Sequence, residues 1–267
     1  MYMRGQEASK CLNALAARAM QQLDVKSAIQ IYREIGDAGM VLALERLTAV
    51  QDRALLAGHI SLLFNDFNKA QDYFLSSSYP EAALEMRRDL LQWESALKLA
   101  KHIDPSQLPI IGLEYAKQAE HMMEFGVALE NYDNACQELK AMLRDQAGYA
   151  EASDPAAAED VQARIVSCTA GIARCSLLTG DLRRGVAIAK ESQNTTLCAE
   201  CGDILENMNQ KQDAANLYEI AREYEKAAQI YIASQKFTQA AQVCSASLFR
   251  AALPSISFHV LPCHAMS

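Results

Sequence analysis

The sharpest chemical signal in the chain is Cys198-Ala199-Glu200-Cys201. A C-x-x-C can supply half of a tetrahedral zinc site or a redox-active dithiol. Zinc needs two further ligands at suitable spacing. The upstream candidates, Cys168 and Cys175, stand seven apart on one apolar helix face. A dithiol of the thioredoxin kind needs a βαβ context, and none is visible. The spacing favours two helix-buried thiols, with structural zinc and a redox pair as the alternatives. His259, Cys263 and His264 cluster near the C-terminus in a Pro-containing stretch without period, too few ligands for a metal centre. His59, His102 and His121 fall within helical patterns and read as packed or solvent-facing.

Other catalytic constellations are missing. The chain contains no G-x-G-x-x-G, no G-x-x-x-x-G-K-[ST] and no G-x-S-x-G. Asp203 and Glu206 share a helix face, but an acid–base dyad needs burial to split its pKa values, so they read as a solvated rim. The basic pairs Arg87-Arg88 and Arg183-Arg184 each lie close to an Asp, Asp89 and Asp181. They read as ion pairs or, at Arg87 and Arg88 first, as a contact to an acidic partner segment. No catalytic residue, metal, cofactor or small-molecule substrate is expected.

The 267 residues carry a net charge of −8, and 51% are hydrophobic. A nucleic-acid binder normally shows a basic stripe to neutralise phosphates, and none is visible. No apolar run approaches the roughly 20 residues of a membrane span, and no signal peptide is apparent, so direct membrane insertion is not expected. The eight cysteines are spread through helical segments, which fits free thiols in a reducing compartment. Good helix formers dominate, with only 11 Gly and six Pro.

The elements that must carry these residues announce themselves through a repeat. An aromatic stands three places before an Ala at Phe67/Ala70, Tyr79/Ala82, Trp93/Ala96, Phe125/Ala128, Tyr224/Ala227 and Phe237/Ala240. An Ala stands four before an aromatic at Ala28/Tyr32, Ala70/Phe74, Ala128/Tyr132, Ala214/Tyr218 and Ala227/Tyr231. Residues three and four apart share a helix face. A small Ala admits a neighbouring helix, and the aromatic fills the groove beside it, as in tetratricopeptide-type repeats. The pattern predicts an all-α fold, a right-handed α-solenoid of degenerate tetratricopeptide-like helix pairs.

Helices are expected near 9–22, 25–34, 38–49, 52–64, 67–76, 80–89, 93–102, 107–123, 126–142, 160–178, 182–191, 196–208, 211–220, 224–233 and 237–246. Asn65-Asp66, Gly180-Asp181, Asn209-Gln210 and Ser234-Gln235 mark turns, with Asp, Asn and Ser as helix caps. The organisation reads as a first solenoid part over 1–144, an acidic inter-repeat loop over 145–160, a second solenoid part over 161–250 and an irregular tail over 251–267. Asp154-Pro155 is expected to open the helix after the loop. Such stacks offer extended surfaces to other proteins.

Specific blocks carry a resemblance. They are Gly36-Asp37-Ala38-Gly39-Met40, Leu55-Leu56-Ala57-Gly58-His59, residues 65–71 (NDFNKAQ), 83–90 (ALEMRRDL) and 93–102 (WESALKLAKH). Later come residues 180–185 (GDLRRG), 201–208 (CGDILENM) and 214–219 (AANLYE). Across about 26–245 the chain resembles the tetratricopeptide-like region of the WD-repeat subunits of intraflagellar transport complex A. Members of that family carry two WD-repeat propellers followed by a long helical solenoid, and the resembling stretch belongs to the solenoid. The resemblance implies retrograde ciliary or flagellar transport and ciliary protein entry, other complex A subunits as partners, and residence in the cilium or flagellum, basal body and cytoplasm. A coatomer-like vesicle-coat subunit, which shares the propeller-plus-helix plan, is the alternative. The family brings no catalytic residue.

Overall fold

The computed structural model describes residues 2–148 and 155–251. Among them are fifteen α-helices and no strand: α1 Tyr2–Gln21, α2 Val25–Ile35, α3 Ala38–Leu47, α4 Arg53–Leu63, α5 Phe67–Leu75, α6 Glu81–Asp89, α7 Trp93–Ile103, α8 Leu108–His121, α9 Phe125–Gly148, α10 Pro155–Leu178, α11 Leu182–Ser192, α12 Thr195–Asn207, α13 Lys211–Ala221, α14 Tyr224–Ala233 and α15 Phe237–Ala251. A short 3-10 turn, Pro105–Gln107, precedes α8. The fold is all-α, and consecutive helices pack on one another in the manner of an α-solenoid. Two compact units cover residues 1–111 and 112–267.

The segment expected as an acidic loop, 145–160, is helical at both ends. α9 runs through Gly148 and α10 opens at Pro155. Proline suits the first helical turn, where its missing N–H has no partner to lose. The stretch 149–154 and the tail 252–267, with His259, Cys263 and His264, lie outside the described residues.

Among the described residues nine turns share one geometry. A residue with positive φ ends one helix at Leu23, Gly36, Asn65, Leu91, Met123, Gly180, Asn209, Arg222 and Gln235. The amide of the next residue then donates to a carbonyl five positions back, as in Asp66 N–H to Ser61 (2.9 Å), Asp181 to Ser176 (2.9 Å) and Gln210 to Leu205 (2.8 Å). This is the Schellman closure, which satisfies carbonyls orphaned at a helix end. The arrangement corrects part of the cap assignment. Asp66 and Asp181 do cap the helix that follows, accepting from Lys69 and Arg184 backbone N–H. Asn209 and Gln235 instead take the left-handed position that ends the preceding helix, and Gln210 makes no side-chain cap.

The turn fixes a register for the packing. Twelve positions before the slot Ala, and sixteen before the bulky residue, stands a small residue on the previous helix: Ala16/Ala28/Tyr32, Gly58/Ala70/Phe74, Ala116/Ala128/Tyr132, Gly202/Ala214/Tyr218 and Ala215/Ala227/Tyr231. Where that small residue is glycine, the ring closes on its backbone. A Cβ on Gly58 would come within 2.4 Å of the Phe74 ring, and one on Gly202 within 2.7 Å of Tyr218. Where the bulky position holds Ala100, the small position holds Leu84, and both are buried in one cluster, so volume has moved across the interface.

Two measurements follow. Gly202→Ala overpacks the Tyr218 ring and is expected to destabilise by about 1–3 kcal/mol in urea unfolding. Gly126→Ala, on a helix with open space around the new Cβ, is expected to be neutral or to stabilise by about 0.4–1 kcal/mol. The second concerns Asp52, which caps α4 through Ala54 N–H (2.8 Å) and also accepts Ser78 N–H (2.7 Å) from the α5–α6 turn. These bonds, Ser78's first, hold its carboxyl down at about 2. Its stabilisation is complete above the ~3.9 of an unfolded Asp and is lost as pH falls through the folded value. The melting-temperature gap between wild type and Asp52→Ala is therefore expected to be open at pH 6, to shrink below about pH 4, and to close near pH 2.

Candidate interaction surface and its buried polar clamps

The aromatics of the repeat divide by position. Those four after an Ala are buried: Tyr32, Phe74, Tyr132, Tyr218 and Tyr231, together with Ala28, Ala70, Ala128, Ala214 and Ala227. Those three before an Ala are not core residues. Phe67, Trp93, Phe125 and Tyr224 each begin a helix and are half-buried. Phe237 is 64% exposed and Tyr79 43% exposed, while Ala82, Ala96 and Ala240 beside such aromatics are buried. The expectation that Tyr79 and Phe237 fill grooves is corrected. A helix's first residue projects past its neighbour's end, and Tyr79, ahead of α6, turns its hydroxyl to Glu85 (2.7 Å).

A buried tyrosine must place its hydroxyl against an acceptor. Three of the slots solve this alike, with a carboxylate twelve positions back: Tyr132 donates to Glu120 (2.7 Å), Tyr218 to Glu206 (2.9 Å) and Tyr231 to Glu219 (2.6 Å). Twelve residues carry the chain from one helix to the next, so the acceptor meets the ring's polar end. Burial first, then the carboxylate, pushes the Tyr231 hydroxyl up to about 12 and raises Tyr132 and Tyr218 as well.

Cations balance these carboxylates unequally. The Arg174 guanidinium grips both oxygens of Glu120 (2.6 and 3.1 Å) and reaches Glu200 (3.1 Å), tying α8, α10 and α12 together. Burial works against the Glu120 charge, yet Arg174 and Tyr132 hold its carboxyl below the ordinary value. Asp203 and Glu206, expected as a solvated rim, converge on the Tyr218 hydroxyl (2.6 and 2.9 Å). Lys226 pairs with Asp203 (3.0 Å) and stands 5.0 Å from the Tyr218 ring centre.

Arg87 overturns its sequence reading. It is only 7% exposed and cannot offer a free surface to a partner. Its guanidinium donates to Gln71 (2.8 Å), Asn68 (3.0 Å) and Gln92, all amide oxygens. Asp89 is exposed and does not pair with it. Arg88 is half-buried and is not a free cation. Arg184, expected near Asp181, instead sends its side chain to Asp133 on α9 (2.5 Å).

The cysteine constellation is inert. Cys198 and Cys201 are wholly buried in α12, and the Cys198 thiol donates to Ala189 carbonyl (3.2 Å). Burial pushes the thiols of Cys168, Cys175 and Cys201 up to about 12, far from thiolate chemistry at neutral pH. Among the described residues no group of three or more His, Cys, Asp and Glu side chains is placed to hold a metal. No described helix is long and apolar enough to cross a membrane. His59 sits half-buried, edge-on to Phe74 at 5.1 Å, whereas His102 and His121 are exposed.

Replacing Arg87 by Met keeps its stem but strands three amide oxygens. Arg87→Met is expected to cost about 1–3 kcal/mol in chemical unfolding; an unchanged midpoint would show that these bonds contribute nothing net.

No protein-family model matches the chain. Among solved structures it aligns with BtubC (BKLC) from P. vanneervenii at 14% identity and a TM-score of 0.31, covering 96% of this chain and 84% of that one, too remote a likeness to argue from. Sequence kinship is much closer elsewhere. The chain is 43% identical over 207 residues to WD repeat-containing protein 19 of Homo sapiens and 40% identical over 210 residues to that of Mus musculus. It is 37% identical over 212 residues to WD repeat-containing protein dyf-2 of Caenorhabditis elegans. These alignments cover 78–79% of this chain and 14% of each relative, so the chain is similar to these WD repeat-containing proteins along most of its own length while spanning a small part of theirs.

Proposed function

We propose that the chain is a non-catalytic protein-binding scaffold, a solenoid portion of an intraflagellar transport complex A subunit most like intraflagellar transport protein 144. In this reading it acts in retrograde ciliary or flagellar transport and ciliary protein entry. It works with the other complex A subunits in the cilium or flagellum, at the basal body and in the cytoplasm. The observation that carries the reading is the 43% identity to WD repeat-containing protein 19 over 78% of the chain. The architecture supports it. Relatives named for WD repeats are propeller proteins in part, but the described residues here are helical throughout, as a solenoid region would be. Polar side chains that sequence inspection weighed for chemistry or binding are spent on packing: Asp203 and Glu206 accept from the buried Tyr218 hydroxyl, and Arg87 donates to Gln71.

The test is affinity capture of the full chain, tagged and expressed in ciliated cells, read by mass spectrometry. Enrichment of complex A subunits is expected. Capture of coatomer subunits in their place, or of neither, overturns the reading.

A further inference from the structure

We propose that the α2–α3 hairpin is a docking site for an amphipathic helix of a partner protein, one that presents a large aliphatic side chain flanked by Lys or Arg. The inference rests on the scaffold reading only in taking the chain to bind protein. It adds where and what.

α3 reads Ala-Gly-Met-Val-Leu-Ala-Leu-Glu-Arg-Leu, apolar on nearly every side, yet Leu44 alone of its ten residues is buried. A helix apolar all round is ordinarily covered all round. Here Leu42 stands 55% exposed, Ala38 is exposed, and Val41 is half-buried. These three line a groove of about 500 Å³ together with Tyr32, Gly36 and the charged residues of the turn. Gly36 takes φ +84°, and a Cβ built on it would meet nothing within 4 Å among the described residues.

Two features define the occupant. The charged residues of the rim are Asp37, Glu45 and Arg33, and Arg33 is spent on Glu45 at 2.7 Å. One negative charge is left over, on a chain whose net charge is −8. A basic flank complements it and an acidic one is repelled. The second feature is Tyr32. It is 8% exposed, and its hydroxyl has no hydrogen-bond partner among the described residues. The position twelve back, which supplies the carboxylate for Tyr132, Tyr218 and Tyr231, holds Met20 here. The groove thus offers apolar walls, an idle hydroxyl and an acidic edge, the complement of a Leu-bearing, Lys- or Arg-flanked helix lying in a groove.

The probe is a fluorescein-labelled amphipathic helix of about 15 residues built from Leu and Lys, with its Leu/Glu counterpart as control. Anisotropy titrations use the full chain, Leu42→Asn and Glu45→Gln, each checked by circular dichroism for native helicity. The Leu/Lys helix is expected to bind wild type at least about tenfold more tightly than the Leu/Glu helix, and Leu42→Asn to lose about tenfold. Glu45→Gln is expected to weaken the Leu/Lys helix alone. Leu42→Asn leaves net charge unchanged, so it separates docking from general attraction to an acidic protein. Equal binding of the two helices, indifference to Leu42→Asn, or a wild-type chain that dimerises through this face and a Leu42→Asn chain that does not, each overturns the proposal. Capture of complex A subunits can succeed while this assay fails, so the two readings fall separately.

Discussion

Everything in this fold depends on how closely two helix backbones can approach. At two slots a glycine on one helix receives a ring, and an Ala on the next helix removes the side chain that would hold the pair apart. Gly58 beneath Phe74 and Gly202 beneath Tyr218 leave no room even for a methyl group. Dispersion falls off steeply with distance, so such contact stabilises only if the surfaces actually meet. The turn is subordinate to this requirement. Among the described residues nine turns accept a left-handed residue, mostly one with a side chain, because the Schellman closure sets the next helix in the register that brings small residue and ring together.

From that contact the polar architecture follows. A tyrosine ring pressed into a backbone groove has nowhere to turn its hydroxyl, so the acceptor must come to it. Glu120, Glu206 and Glu219 sit where the ring's polar end emerges. Once a carboxylate is half-buried it calls for a cation, and Arg174 answers at Glu120. Phe74 needs none of this, and Leu62 occupies the equivalent place. Hydrophobic contact comes first, hydroxyl satisfaction second and ion pairing third.

Much of the helical pattern was legible because Ala-aromatic spacing is local. All fifteen expected helices are present, and ends drifted where local signals pointed elsewhere. The acidic, small-residue stretch around 145–160 resembles a loop, but Ala-rich sequence extends a helix readily when a neighbour such as α9 or α10 lies alongside. The small residue sixteen before each ring was equally visible in the sequence, but only a search for the ring's partner would have found it. Arg87 was not legible. Its acceptors at 68, 71 and 92 lie on other turns and helices, and an arginine near a helix end is ordinarily solvated. Nor could spacing reveal that α3, apolar as it is, is left largely uncovered.

The run from α12 to α15 has a genetic consequence. Adjacent alanines recur there, Ala214-Ala215 and Ala227-Ala228. In each pair the first completes the contact with the helix before, and the second begins the contact with the helix after. Each helix is therefore a link in its own right, and the array lengthens by thirteen residues at a time rather than by a hairpin. Duplication or excision of a single link would leave both neighbours in phase. Loss of one codon between the two contacts would put the downstream helices out of phase with everything before them. This stretch of the gene should accordingly tolerate unequal exchange in multiples of thirteen codons and very little else.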